Sequence, residues 1–321
     1  MQKTSKKVFT KPFIITILAV IALAIASIFT GAYDILKEGN STQMIFITRI
    51  PRTLALMLAA VAMSLSGIVM QLISQNKLVE PTTTGTIEWA GLGLLLVYVI
   101  IPNPSLFQRM TGSIIASFIG SMVFFYLLRN IKLKSSLFVP IVGIMLGAVI
   151  SAVSTFIGLE FNMTQVIEVW FQGSFAPIQR GRYEYLFVII LITIAIYRYA
   201  DKLTIAGLGE DITTNLGLDY NQIILRANIL IAIACGIVAA VIGNIPFLGL
   251  IVPNIVSLYR GDDLRANIPW VCLVSMIVML ASDILSRVII APFELPVSLI
   301  LGSAGSIIFI IILLNQRRFK I

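Results

Sequence analysis

Ten apolar runs, most of them near twenty residues long, constrain this chain more than any other feature. They lie near 12–30, 53–73, 87–101, 111–128, 137–159, 184–200, 222–243, 247–259, 270–290 and 297–314. A bilayer core about 30 Å thick takes roughly 20 helical residues to cross. Only helices and closed barrels satisfy their backbone hydrogen bonds in lipid, and runs of this length without strict alternation are helical. Composition agrees: the 321 residues are 58% hydrophobic and 12% charged, about half the charged share of an average soluble domain. The expected fold is an all-α integral membrane protein of about ten transmembrane helices. One polytopic domain fills residues 1–321, with no soluble domain, low-complexity tract or internal repeat.

Basic residues orient the chain. With ten spans and an inner N-terminus, the cytoplasmic side holds Lys3, Lys6, Lys7, Lys11, Lys77, Arg129, Lys132, Lys134, Arg198, Lys202, Arg226, Arg260, Arg265, Arg317, Arg318 and Lys320. Lys37, Arg49, Arg52, Arg109, Arg180, Arg182 and Arg287 fall outside. The eighth run, FLGLIVPNIVSLY, is short and interrupted by Pro253, so it could be re-entrant. If it did not cross, Arg260, Arg265, Arg317, Arg318 and Lys320 would move outward and the positive-inside bias would vanish. The eighth run is therefore expected to cross, leaving both termini cytoplasmic. The first run is too long for a signal core and lacks a clean small-x-small cleavage site, so it reads as an uncleaved span. The net charge of +8 belongs to these flanks and gives no reason to invoke nucleic acid.

Several chemistries are excluded or weakened by what the sequence lacks. There is no histidine, hence no histidine base or ligand. No GxxxxGK[ST] phosphate loop occurs, so ATP is not bound by that route. Cys235 and Cys272 lie within apolar runs and read as packing residues. Asp262–Asp263 is the nearest approach to the metal-diphosphate motif of a membrane transferase, but it has no second acidic cluster. Of the ionisable residues in the spans, Glu88, Glu184, Asp283 and Arg287 appear near ends. A proton- or sodium-coupled carrier usually keeps carboxylates midway along its helices. What remains is a passive pore moved by an external motor.

The longest inner polar stretch is Asp201–Tyr220, DKLTIAGLGEDITTNLGLDY. Gly207 and Gly209 break the chain, Glu210 and Asp211 favour a helix N-terminus, and Gly217 ends that helix. The expectation is a pair of short helices on the cytoplasmic surface; a solvated loop is the competing reading.

RIPRTLALMLAAVAMSLSGIVMQ (49–71), NKLVEPTTTG (76–85), WFQGS (170–174), LGEDITTNLGLD (208–219), IPFLGLIVPN (245–254) and ASDILSRVIIAPFELPVS (281–298) follow one another in a telling order and spacing. In these stretches the chain resembles the FecCD-type permeases of type II ATP-binding-cassette importers, which carry iron–siderophore complexes, haem or cobalamin. Four departures bear on pore shape and hence on substrate. Lys77 stands for a usual Pro, Asn254 for a usual His, GSAGSI (302–307) for a Gly-Ala-Pro run, and IEWAGLG (87–93) for a small-residue segment.

The resemblance implies three sites. Gly207, Leu208, Gly209, Glu210, Asp211, Leu216 and Gly217 would couple to an ATPase subunit. Arg49, Arg52 and Arg287 would dock acidic residues of an extracytoplasmic binding protein, although interface arginines also snorkel or pair locally, here with Asp283. Ser151, Ser154, Thr155, Gly302, Ser303, Gly305 and Ser306 would line a two-subunit pore, although small residues equally serve close helix packing. Met57, Met63 and Met70 read as packing. The implied assembly has a second permease subunit, identical or paralogous, two ATP-binding cassette subunits holding ATP and Mg, and a siderophore-binding protein, all in the cell membrane or at its surface. This chain itself would bind no cofactor and no metal. EPTTTGTIEWAGLG suggests a catecholate-type siderophore; haem, cobalamin and a proton-coupled carrier stay as alternatives.

Overall fold

The computed structural model describes residues 11–31, 41–131 and 138–314. Of the basic residues used above, Lys3, Lys6, Lys7, Lys37, Lys132, Lys134, Arg317, Arg318 and Lys320 lie outside them. Among the described residues all regular structure is helical. The long helices are α1 (Lys11–Phe29), α3 (Ile50–Ile73), α4 (Thr86–Ile100), α5 (Leu106–Asn130), α6 (Phe138–Glu160), α8 (Val188–Ala206), α10 (Tyr220–Val241), α11 (Leu248–Arg260), α12 (Leu264–Val288) and α13 (Val297–Leu314). Short helices α2 (Ser41–Met44), α7 (Thr164–Gln172) and α9 (Glu210–Asn215) lie between them, and a π-helical turn, Ile45–Arg49, leads into α3. Each expected apolar run falls on one long helix. Six of the helices are long and apolar enough to cross a membrane. α4, α11 and α13 are shorter, and α8 carries Arg198, Asp201 and Lys202.

Local chemistry sets the helix starts. Ser105 and Gln108 form a reciprocal capping box on α5. Asp219 and Asp263 accept backbone N–H groups at the starts of α10 and α12, each relieving an orphan donor. The acidic pair that only approached a metal-diphosphate motif has other partners. Asp263 caps α12, and Asp262 pairs with Lys77 at 3.1 Å and with the Ser257 hydroxyl.

Helix α3 is the core, buried over most of its circumference with Ala55, Ala59, Ala60 and Ala62 fully enclosed. α12, α11, α10 and α8 pack around it. Small residues permit the approach: a Cβ on Gly67 would lie 2.0 Å from the Gly249 carbonyl oxygen of α11. Pro253 has no N–H to give to Gly249, four residues earlier. Gln71 of α3 donates to that carbonyl instead, at 3.2 Å. Large apolar side chains on α1, including Ile14, Ile15 and Leu18, face outward, as a lipid-facing surface requires.

Charges gather at two poles. At one, Lys77 pairs with Asp262, Arg129 with Glu210 and Arg265 with Asp201; α3, α5, α8 and α11 end there. At the other, α1 ends and α3 begins, where Arg49 and Arg287 both donate to the Thr30 carbonyl. Helix α11 ends at the Lys77–Asp262 pole, and its 13 residues are fewer than a full crossing takes.

The 74–85 connection departs from expectation. The Lys77 carbonyl is bonded by Asn254, and the Glu80 carboxylate by the Phe247 N–H. Those α11 positions are about 10 Å apart along the axis at 1.5 Å per residue. The chain therefore dips into the protein before α4 begins, which is why α4 is short.

Candidate functional site

The polar stretch at 201–220 holds one short helix, not two. Residues 201–206 finish α8, whose last turn is helical through Ala206; only Glu210–Asn215 forms a separate helix. Gly209 makes the turn at φ 108°, a conformation that favours glycine. Gly207 is ordinary right-handed backbone at φ −62°. A Cβ there would lie 3.2 Å from Leu72 Cδ2, so Gly207 matters for packing, not for the turn. Gly217 follows α9 at φ 76°. The short helix is fixed from beneath: buried Thr213 bonds the carbonyls of Ile205 and Gly209. From the side, Arg129 holds Glu210 at 2.9 Å. Leu208 and Leu216, which flank the helix, are 58% and 60% exposed, and Ile212 on the helix between them is exposed as well. A short helix braced by Thr213 and Arg129 and flanked by exposed leucines is suited to receive another protein. Glu210 and Asp211 occupy its first turn, as read from the sequence.

Arg49, Arg52 and Arg287 come together at the opposite pole, but their side chains point into the protein. Arg52 is 9% and Arg287 4% exposed. Arg52 bonds Asp283 at 2.8 Å and Glu294 at 2.7 Å. Arg287 also engages Asp283, and donates to the Ser27 carbonyl and hydroxyl. Arg49 reaches the Thr30 carbonyl. The cluster ties α1, α3 and α12 to the segment before α13. A cavity of about 300 Å³ opens onto it, bounded by Thr48, Arg49, Arg52, Ala176, Ile178 and Glu294.

The residues read as pore-lining lie on two helices. On α6, Ser154 is buried, Ser151 partly so, and Thr155 exposed. On α13, Gly305 is buried against Phe247, Gly302 and Ser306 are partly exposed, and Ser303 is exposed. Ser154, Thr155, Ser303 and Ser306 bond backbone carbonyls of their own helices, which leaves a smooth surface with few free donors.

Sequence reasoning missed the buried carboxylate of Glu80. Glu80, 0% exposed, accepts from Phe247 N–H at 2.9 Å and from the Thr82 hydroxyl at 2.5 Å. Glu88, in the first turn of α4, starts deep because the preceding chain dips inward. Glu88 does sit at the end of its helix as read; Glu80, which lies outside every expected apolar run, is the carboxylate that the reading left out of account. Thr82 was the available signal, a nearby hydroxyl that donates to the Glu80 carboxylate; Thr83 and Thr84 bond backbone carbonyls instead. Glu294 was missed as well.

The FecCD transport family profile matches residues 14–315. The petrobactin import system permease protein FatD of Bacillus anthracis is 64% identical over 97% of this chain and 93% of its own length. The petrobactin import system permease protein YclN of Bacillus subtilis is 38% identical over 93% of this chain and 96% of its own. A solved structure described as a metal-chelate type ABC transporter in an inward-facing conformation aligns with TM-score 0.82 at 23% identity, covering 96% of this chain and all of the other. At that identity it speaks for the fold alone. With almost the whole chain matched by the family profile and by two full-length relatives, this protein belongs to the FecCD transport family.

Proposed function

We propose that this chain is one permease subunit of an ATP-driven importer in the cell membrane, forming half of a pore for a ferric siderophore, with petrobactin the first candidate. The observation that carries the reading is full-length similarity to two permeases both named for petrobactin import. The permease is not an enzyme; ATP and Mg belong to two separate ATPase subunits, and a second permease subunit, identical or paralogous, completes the pore.

Coupling is assigned to Gly207–Gly217. The exposed Leu208, Ile212 and Leu216, on and beside a helix braced by Thr213 and Arg129, support this. A push there passes directly into α8 and, through Leu72 against Gly207, into α3. Docking of an extracytoplasmic binding protein is assigned to Arg49, Arg52 and Arg287. An incoming carboxylate would enter the cavity beside Glu294 and compete with it for Arg52, since arginine forks favour carboxylates. The pore wall is assigned to the α6 and α13 residues named above, whose internally bonded hydroxyls favour a conduit that binds weakly.

The test is uptake of iron-55 petrobactin by cells lacking their own petrobactin permeases and expressing this chain with its ATPase and binding protein. Uptake competed by unlabelled ferric petrobactin, but not by haem or cobalamin, is expected. Competition by haem or cobalamin alone would overturn the substrate assignment.

A further inference from the structure

The outward-pole arginines fall into two groups. Arg52 and Arg287 share Asp283, and Arg52 also holds Glu294. Arg109, Arg180 and Arg182 pair with no carboxylate among the described residues. Two of these, Arg109 and Arg182, line one cavity of about 340 Å³, walled by Tyr98, Trp170, Gln165 and Pro177. The backbone bond from Arg180 N–H to the Ile47 carbonyl, 3.0 Å, puts this segment beside the turn that carries Arg49.

Arg109 is held in an unfavourable position. It lies in the first turn of α5, where the helix dipole is positive and a cation is disfavoured. Its Nε is buried without a hydrogen-bond partner, although a buried polar group ordinarily has one. The guanidinium is nonetheless fixed: Nη1 donates to the Tyr98 hydroxyl at 2.7 Å, and the group stacks 5.6 Å from the Tyr98 ring centroid. Trp170 forms a rigid wall because its indole N–H is anchored on the Ala239 carbonyl at 2.9 Å. An anion in this cavity would face two arginines that no carboxylate neutralises and would offset the positive end of the helix. The volume lies in the range of small-molecule pockets, and a planar carboxylate suits the arginine fork.

We infer that the Arg109–Arg182 cavity is a binding site for a small carboxylate-bearing solute, separate from the Arg49–Arg52–Arg287 cluster. The inference does not depend on which substrate is imported. The probe is glutarate, a small flexible dicarboxylate. The full chain in lipid nanodiscs is heated across a glutarate titration at constant ionic strength. A ligand that binds only the folded state raises the unfolding midpoint with concentration. We expect the midpoint to rise with glutarate, to stay flat in Arg109→Gln, and to rise at least tenfold higher glutarate in Arg182→Gln. Arg180→Gln, outside the cavity, should behave as the parent. Arg182 is exposed, so its variant remains informative if Arg109→Gln does not fold. No rise in the parent, an equal rise with methanesulfonate, or parental behaviour of Arg182→Gln would overturn the site. A tenfold preference for the peptide Ala-Glu-Ala over glutarate would overturn the small-solute assignment in favour of an acidic protein loop.

Discussion

The carboxylate of Glu80 accepts the backbone N–H of Phe247 at 2.9 Å, joining the inward-dipping 74–85 connection to the first turn of α11. Phe247 itself stands at φ 64°, a region bulky residues rarely adopt. It turns the chain so that its own N–H, just before α11, points at the carboxylate. In an apolar interior this donor has no water to fall back on, and the acidic side chain serves it.

Replacing Glu80 by Ala should destabilise the protein by about 1–3 kcal/mol for each donor left unsatisfied. Glu80→Gln keeps an acceptor oxygen and should cost clearly less. Thermal unfolding of both variants in the same lipid checks the order. Equal losses, or none, would show that the carboxylate does not serve α11.

At the arginine cluster the two acids should differ. Asp283 is fully buried and serves both Arg52 and Arg287, so Asp283→Ala should cost on the order of 3 kcal/mol or more. Glu294 is partly exposed, and Glu294→Gln should cost about 1 kcal/mol or less. If the docking reading is right, Glu294→Gln should also tighten binding of the binding protein, by removing its competitor. Affinity measured on nanodisc-held complex reports this directly.

Leu208→Ser and Leu216→Ser remove exposed apolar contacts while leaving Thr213 and Arg129 in place. Folding and membrane insertion should be unchanged, and ATP-driven uptake should fall at least tenfold in the double variant. Chemical cross-linking to the ATPase subunit should fall in parallel. Undiminished uptake would return the segment to an ordinary capped loop.

Asp262 is held below the usual aspartate range. Partial burial opposes ionisation, but the Ser257 hydroxyl and the Lys77 ammonium outweigh it. A carboxylate with a depressed pKa contributes stability above its unfolded value and loses it as pH falls through the folded one. The Lys77–Asp262 tie should therefore be intact at neutral pH and persist to more acid pH than a free aspartate would. Asp262→Asn should remove this acid-range dependence of stability with uptake largely kept. A transferase needing Asp262 and Asp263 as metal ligands would lose its activity instead.

Helix placement was legible because apolar run length reports burial in lipid directly, and all ten runs fall on long helices. The short helix at Glu210–Asn215 was legible from its acidic first turn and the glycine after it. The end of α8 was not: Asp201 and Lys202 look like loop residues, yet they continue a helix that projects past the apolar layer and pair or stack there with Arg265 and Tyr199. The dip at 74–85 was hidden because no local pattern records that Glu80 will meet Phe247, far along the chain. The burial of the arginines was half legible. Asp283 stands one turn from Arg287, but Arg52 and Glu294 meet only once α3 and α12 pack.

The most direct test is reconstitution of the chain in vesicles with its binding protein and ferric petrobactin, with and without the ATPase subunit. We predict ATP-dependent accumulation only when the ATPase is present. Accumulation in its absence, driven by a proton gradient, would contradict the account, and Glu80 and Glu88 would then be the carboxylates to examine first.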